Sequence, residues 1–282
     1  MPTLREIEFR IEEGESLKNI TSAYAEISAI KLRKIKNNIQ RNQKFVKELS
    51  KLFYIVREEA LKRKILPEIG FEGTAHIIIT SNYPFYGALE RKLMTEYLKK
   101  ANLLAPQLRI VIGKTGNYFF ELVKAGFSFE KFILKKDIPS LEELEKITKK
   151  VKKYKNVLVF HTVFSSLAVQ KSTFTNITKP FLSSFSKKEK SYHIFEPEIE
   201  EMFEFFNSQI IQVLLEQTFL ESELARTASR LISMNEAEEK AKEFIKKQIR
   251  ELKILKRNLI NFKFLEIFKP AKEWREKNYY GR

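Results

Sequence analysis

Cysteine is absent from the 282 residues, and glycine and proline occur only eight times each. The first absence excludes disulfides, thiolate metal sites and cysteine nucleophiles, and makes an intracellular setting the expectation. The scarcity of the other two matters through its placement. Neither residue occurs between Glu15 and Leu66, nor between Glu198 and Lys269. Two stretches therefore lack the residues that break helices, and two long helices are expected there. Also missing is any run approaching the ~18 apolar residues of a bilayer-spanning helix. The charged opening MPTLREIEFRIEEGE lacks the apolar middle of a signal peptide. The Asn-x-Thr triplets at Asn19 and Asn176 accordingly need no sugar.

What is present is a chain with 43% hydrophobic residues, enough for a real core, and 52 basic against 36 acidic residues. The net charge of +16 favours acidic partners: nucleic acid, an anionic membrane surface or an acidic protein cavity. Heavy use of Lys, Ile, Asn and Phe matches the drift of an AT-rich genome, which raises positive charge without selection for binding.

In the first helical stretch Ile20, Tyr24, Ile27, Leu32, Ile35, Ile39, Val46, Leu49, Phe53, Val56 and Ala60 recur at steps of mostly three, four or seven residues. The second repeats the pattern with Leu220, Leu224, Leu231, Met234, Ala241, Ile245, Leu252, Leu255, Leu259 and Phe262, separated by charged residues expected to face outward. At about 1.5 Å per residue such helices would run on the order of 75 to 105 Å. Each offers one apolar stripe, so they satisfy one another as an antiparallel coiled coil. Between them lie the short β-rich runs AHIIIT (Ala75 to Thr80), LRIVIG (Leu108 to Gly113) and NVLVFH (Asn156 to His161), with helical patterns intervening. Apolar strands alternating with helices predict a largely parallel sheet covered on both faces. The expected fold class is α/β: a long antiparallel coiled coil of N- and C-terminal helices with an inserted Rossmann-like domain. The expected divisions are residues 1–66, 71–195, 196–269 and a tail at 270–282, with FLSSFSKKEK (Phe181 to Lys190) as an exposed loop.

Gly113, Lys114 and Thr115 spell the second half of a phosphate-binding loop. The full pattern needs a further glycine where Leu108 stands. A strand-to-helix turn using Gly113 and Gly116 is the better reading. His76, His161 and His193 show no ligand spacing, no nucleophile, histidine and acid arrangement stands out, and neither metal nor cofactor is expected.

The N-terminal LREIEFRI, followed by NITSAYAEISAIKLRK, resembles the opening of the gamma subunit of F-type ATP synthases, the central rotor shaft. The family pattern falls without a gap on Leu4 to Ile11, Ile20, Thr21, Ala23, Ala29, Lys31, Leu32 and Arg33. Near the other end ARTASRLISMNEAEEKA is similar to the family's Ala-Arg-Met-x-Ala-Met stretch at Ala228, Arg230, Met234, Ala237 and Ala241, and Ile260, Leu265, Glu266 and Ile267 continue the register. Ile112, Gly113, Gly116, Phe119 and Phe120 resemble a mid-chain family segment, which makes the glycine turn structural and leaves ATP to another subunit.

The resemblance implies a non-catalytic shaft, peripheral at the cytoplasmic face of the membrane. Its partners would be a hexameric ring of alpha- and beta-like ATPase subunits and, at its foot, a further stalk subunit or membrane rotor ring or a diverged replacement. No nucleic acid is expected. It also implies roles for particular residues. Arg33, Lys34, Lys256 and Arg257 would contact the ring, the last two standing where the family has an Arg-Gln pair. Phe262, Phe264, Leu265, Ile267 and Phe268 would seat the tip in an apolar collar, the alternative being packing on Leu4 and Ile7. Tyr83, Pro84, Phe85, Tyr86 and Gly87 would form a foot interface, or else a buried loop packed on the sheet. There NYPFYGA (Asn82 to Ala88) keeps only Gly87 of three family glycines. The tail AKEWREKNYYGR adds Trp274, Tyr279 and Tyr280 beyond the usual family end. These departures favour a repurposed ATP-driven motor, like the F-type-like ATPases of mollicutes, some associated with gliding, over a conventional proton-translocating synthase. A basic coiled-coil nucleic-acid adaptor and an enzyme using the sheet's crevice are more distant alternatives.

Overall fold

The computed structural model describes residues 3–63, 73–178 and 196–279. Helix α1 (Leu4–Lys62) and helix α5 (Ile199–Tyr279) begin and end the chain's order of elements. Between them run β1 (Thr74–Ile79), α2 (Leu89–Lys100), β2 (Leu108–Ile112), α3 (Lys114–Leu122), β3 (Glu130–Phe132), α4 (Leu141–Val151), β4 (Asn156–Phe164) and β5 (Gln170–Asn176). The loop expected at 181–190 and His193 lie outside the described residues. The chain forms two compact units, Ile27–Ser233, and Met1–Glu26 with Met234–Arg282. This division runs through both long helices rather than at their ends.

In the larger unit five strands form one sheet in the order β3-β2-β1-β4-β5. The first four are parallel and β5 returns antiparallel to β4. Alternation along the strands divides the apolar side chains between two cores. Ala75, Ile77, Ile79, Ile110, Ile112, Val157 and Val159 face α4 and the α5 residues Ile211, Leu215 and Phe219. Ile78, Val111, Leu158 and Phe160 face Leu93, Met94 and Tyr97 of α2 and Phe120 of α3. Both faces are thus covered, which is why β1 is buried along its whole length.

The back of α5 is covered in turn by α1. Ile35 and Ile39 pack with Leu220 and Leu224, while Phe53, Val56 and Ala60 pack with Ile199, Phe203 and Ile210. Rising numbers on one helix meet falling numbers on the other, so the pairing is antiparallel.

In the smaller unit the same two helices pair through a different kind of seam. Ile20 and Tyr24, expected inside, are 55% and 40% exposed, and Ile27, just beyond in the larger unit, is 58% exposed. Ile7, Gly14, Thr21 and Ala25 are buried instead, against an α5 stripe of Met234, Ala241 and Gln248 spaced by sevens. The physical reason is closeness. A Cβ placed on Gly14 would stand 2.8 Å from Ile245 Cγ1, so the glycine lets Ile245 pack directly on the α1 backbone, and Ile20 and Tyr24 are turned outward. Glu8 and Lys256 pair at 3.2 Å, in the same antiparallel sense.

Strands β1 and β4 each bury a histidine. His76 Nε2 lies 2.9 Å from the Leu103 carbonyl and Nδ1 3.3 Å from the Tyr97 hydroxyl, and His161 Nε2 lies 2.9 Å from Thr175 Oγ1. Burial pushes both rings down to about 4, against the usual 6.5, so both are neutral at pH 7. The unfolded chain then binds more protons than the folded one between those values. Stability should be full above pH 6.5 and fall as pH drops towards about 4, by on the order of 2–3 kcal/mol per histidine. Urea unfolding across that window checks this, and a His76→Gln, His161→Gln variant should show a correspondingly flatter dependence.

Candidate functional site

In a sheet of this order the place for a ligand is the crevice beyond the carboxyl ends of β1 and β4, where the strand order reverses. Three groups of residues close that place in this chain. The first is the glycine turn. Gly113 has φ +100°, and a Cβ there would lie 2.5 Å from the Thr80 carbonyl oxygen; one on Gly116 would lie 2.6 Å from Thr80 Oγ1. The N–H groups of Lys114, Thr115 and Gly116, which a phosphate would need, already donate to Asn82 Oδ1 (3.2 Å), the Ser81 carbonyl (3.0 Å) and Thr80 Oγ1 (3.0 Å). The turn joins β2 to α3 and docks both on the β1–α2 loop.

The second group is that loop. Tyr86 is 3% exposed and its hydroxyl donates to Asp137 Oδ2 at 2.8 Å, while Asp137 Oδ1 accepts the Asn82 N–H at 2.9 Å. Ser81 Oγ lies 2.8 Å from both the Tyr83 carbonyl and Glu90 Oε2. Burial holds the Glu90 carboxyl above the usual range; when protonated it donates to Ser81, whose own hydroxyl proton then serves the Tyr83 carbonyl. Of the five residues assigned to a foot interface, Tyr86 is therefore inside, and Tyr83, Pro84, Phe85 and Gly87 are exposed. Phe85 has φ +73°, a left-handed geometry adopted just before the buried Tyr86.

The third group comes from α5 and was missed in the sequence, where charged residues between the apolar positions were expected to face outward. Glu223 and Arg226 are 0% and 1% exposed. Arg226 donates from Nη2 (2.8 Å) and Nε (3.2 Å) to Glu223 Oε2, and from Nη1 to Ser222 Oγ (3.2 Å). Lys31 of α1 donates to Glu223 Oε1. Burial raises the Glu223 carboxyl, but Arg226 and Lys31 outweigh it and hold it below the usual range. Burial works against the Arg226 charge, and Glu223, Glu90 and Asp137 more than compensate. Ser229 donates to the Tyr86 carbonyl at 2.8 Å, Arg230 donates to the Pro84 carbonyl at 3.2 Å, and the Arg230 guanidinium lies 4.2 Å from the centre of the Tyr86 ring. The signal available in the sequence was the run Thr218 to Ala228, apolar or small on nearly every face, in which an interior charge has no outward side to turn to.

The crevice is thus filled by α5 itself, which binds the loop where a fold of this order would bind a ligand. Among the described residues no group of three or more His, Cys, Asp or Glu is placed to hold a metal, and no described helix is long and apolar enough to cross a membrane.

The remaining assigned residues are on the surface. Arg33 and Lys34 are exposed on α1 in the larger unit, and Lys256 and Arg257 on α5 in the smaller one. Beyond Lys256, every side chain through Phe268 is exposed. The five assigned tip residues are 56% to 67% exposed, so the alternative of packing on Leu4 and Ile7 is not what the structure shows. Tyr280 lies outside the described residues, and Trp274 and Tyr279 are described as helical backbone alone.

Two substitutions test this arrangement. Gly113→Ala puts a methyl group on backbone at a left-handed φ and should cost roughly 2–4 kcal/mol in denaturant unfolding. Arg226→Met should cost about 3–5 kcal/mol by stranding Glu223 and Glu90. Adding Glu223→Gln to Arg226→Met should recover part of that loss.

Comparison with known proteins follows the same outline. The ATP synthase family model matches residues 3–271. The chain is 24% identical over 261 residues to the ATP synthase gamma chain of Staphylococcus saprophyticus, covering 87% of this chain and 90% of that one. It is 26% identical over 262 residues to that of Roseiflexus castenholzii, covering 86% and 88%. Among solved structures it resembles a chain of the Euglena gracilis mitochondrial ATP synthase OSCP/F1/c-ring assembly, with a TM-score of 0.56 at 13% identity over 86% of this chain and 94% of that one. It also resembles a chain of the Tetrahymena thermophila mitochondrial ATP synthase central stalk and c-ring, with a TM-score of 0.54 at 15% identity over 77% and 99%.

Proposed function

The chain belongs to the gamma family of ATP synthase subunits, non-catalytic rotor subunits, and from that premise we propose that it is the central shaft turning inside a hexameric ring of alpha- and beta-like ATPase subunits. The observation that carries the proposal is the end of α5. Leu259, Ile260, Phe262, Phe264, Leu265, Ile267 and Phe268 are all more than two-fifths exposed within ten residues. Apolar surface so concentrated calls for a partner, and an apolar collar at the ring's top would supply one around the whole circumference of the helix. Arg33, Lys34, Lys256 and Arg257 would meet acidic loops of the ring. Exposed pairs of this kind contribute about 0–1 kcal/mol each, weak enough to be exchanged as the shaft turns. An asymmetric shaft presents a different face to each catalytic subunit, and the difference in contact free energy biases that subunit between open and closed nucleotide sites. ATP is turned over in the ring, and this chain needs no cofactor.

At the foot, Tyr83, Pro84, Phe85 and Gly87 would meet a further stalk subunit or a membrane rotor ring, with the loop held by Tyr86. On this reading the chain sits peripherally at the cytoplasmic face of the membrane. Two versions of the machine share this architecture. Similarity to synthase gamma chains over most of both lengths supports the conventional proton-translocating one. The altered NYPFYGA loop and the tail support an ATP-driven motor put to another use, gliding among them.

Affinity purification of the tagged chain from its own cells tests both levels. Alpha- and beta-like subunits should be recovered with it, and recovery without them overturns the shaft assignment. Recovery of a proton-carrying rotor ring decides for the synthase. Replacing Phe262, Phe264 and Phe268 with Asp should leave the chain folded, since all three are exposed, while uncoupling ATP hydrolysis from rotation in a single-molecule bead assay.

A further inference from the structure

Positive charge is not spread evenly over the larger unit. Lys146, Lys149, Lys150, Lys152, Lys153 and Lys155 follow one another at the end of α4 and in the turn into β4, and no acidic residue occurs between Glu145 and Glu189. All six are exposed. Three of them, Lys146, Lys149 and Lys150, recur at helical spacing on one face of α4, and Lys153 follows in the turn. The opposite face buries Leu144, Ile147 and Val151 against the sheet. The helix is held at both ends: Ser140 and Glu143 form a reciprocal cap at its start, and a short turn joins its end to β4. On α4 Lys146, Lys149 and Lys150 share one exposed face, preceded on it by Glu142 and Glu145 in the first turns, and Lys150 forms an exposed pair with Glu130.

We propose that this face is a contact surface for anionic phospholipid headgroups. Three observations favour a membrane surface over nucleic acid. The charges are all lysine, with no arginine anywhere between Arg109 and Arg226, and a strongly hydrated ammonium suits a diffuse layer of charge, whereas bidentate recognition of phosphate or base edges uses the guanidinium fork. No aromatic platform for stacking bases interleaves the lysines except Tyr154, which is half-buried and lies beneath Lys153 at 5.6 Å. The face is the outside of a single short helix, with neither a groove to follow a strand nor a helix free to enter one. Several lysines near an anionic leaflet each contribute on the order of a factor of five in partitioning at physiological salt, with strong weakening as salt rises.

The test is sedimentation of the full chain with vesicles of phosphatidylcholine, alone or with phosphatidylglycerol, at low and high salt. The expected result is binding to the mixed vesicles only, reduced by salt. It should fall on the order of 100-fold in K146Q/K149Q/K153Q and stay unchanged in K240Q/K246Q/K247Q, which removes the same charge from exposed positions on α5. Equal binding by both triple variants, or no binding to mixed vesicles, overturns the proposal. So does binding of a single-stranded RNA oligomer that is lost in the first variant when vesicles are not bound, which would assign the face to nucleic acid. Matching thermal unfolding of the variants and wild type establishes that they are folded, and recovery of the catalytic ring is independent of every outcome.

Discussion

The close packing of α5 side chains on the backbone of α1 is the constraint on which the rest depends. In the smaller unit it is made by Gly14 against Ile245, with Thr21 and Ala25 on one helix and Ala241 on the other at buried positions. Small residues at such positions replace bulk with contact: dispersion between closely packed atoms is individually weak and summed over the seam is large. The cost is that larger apolar residues leave the seam, and Phe9, Leu17 and Ile20 become surface. In the larger unit the same pair of helices has ordinary apolar layers, and there α5 is sandwiched between α1 and the sheet.

That sandwich explains how α5 comes to occupy the crevice of the sheet. A helix packed on both sides has no outward face, so Glu223 and Arg226 must satisfy one another and draw in Lys31. Charges buried in this way contribute less to stability than to specificity, because any shift in register leaves one of them unpaired. Ser229 and Arg230 then fasten the β1–α2 loop to the same helix. The α/β domain is in this sense built around α5 rather than beside it, which suits a body that must transmit force without changing shape.

Much of this was legible in the residues. The absence of Gly and Pro announced both helices, and the three apolar runs announced β1, β2 and the first part of β4. β3 and β5 were not visible, for opposite reasons. The three residues of β3 carry no period, and β5, QKSTFTN, is an edge strand whose polar side chains read as loop. The seam of the smaller unit was misjudged because apolar periodicity locates a stripe only where bulk fills it; Gly14 and Thr21 give no such signal. The charged network was missed because burial all round a helix depends on partners distant in sequence, and the run Thr218 to Ala228 was its one local sign. The paired interior and exposed surface of NYPFYGA could not be divided from sequence either, since Tyr83, Phe85 and Tyr86 have similar chemistry and different neighbours.

The antiparallel pairing of the terminal helices is the claim that most needs a direct measurement, and the absence of native cysteine makes one simple. Single cysteines introduced at Glu8 and Lys256, which pair across the two helices, should be joined within one chain by a short bifunctional thiol reagent, at protein concentrations too low for links between chains. Cysteines at Glu8 and Lys240 should remain unlinked. Efficient linking of the second pair and not the first would contradict the register, and with it the shaft.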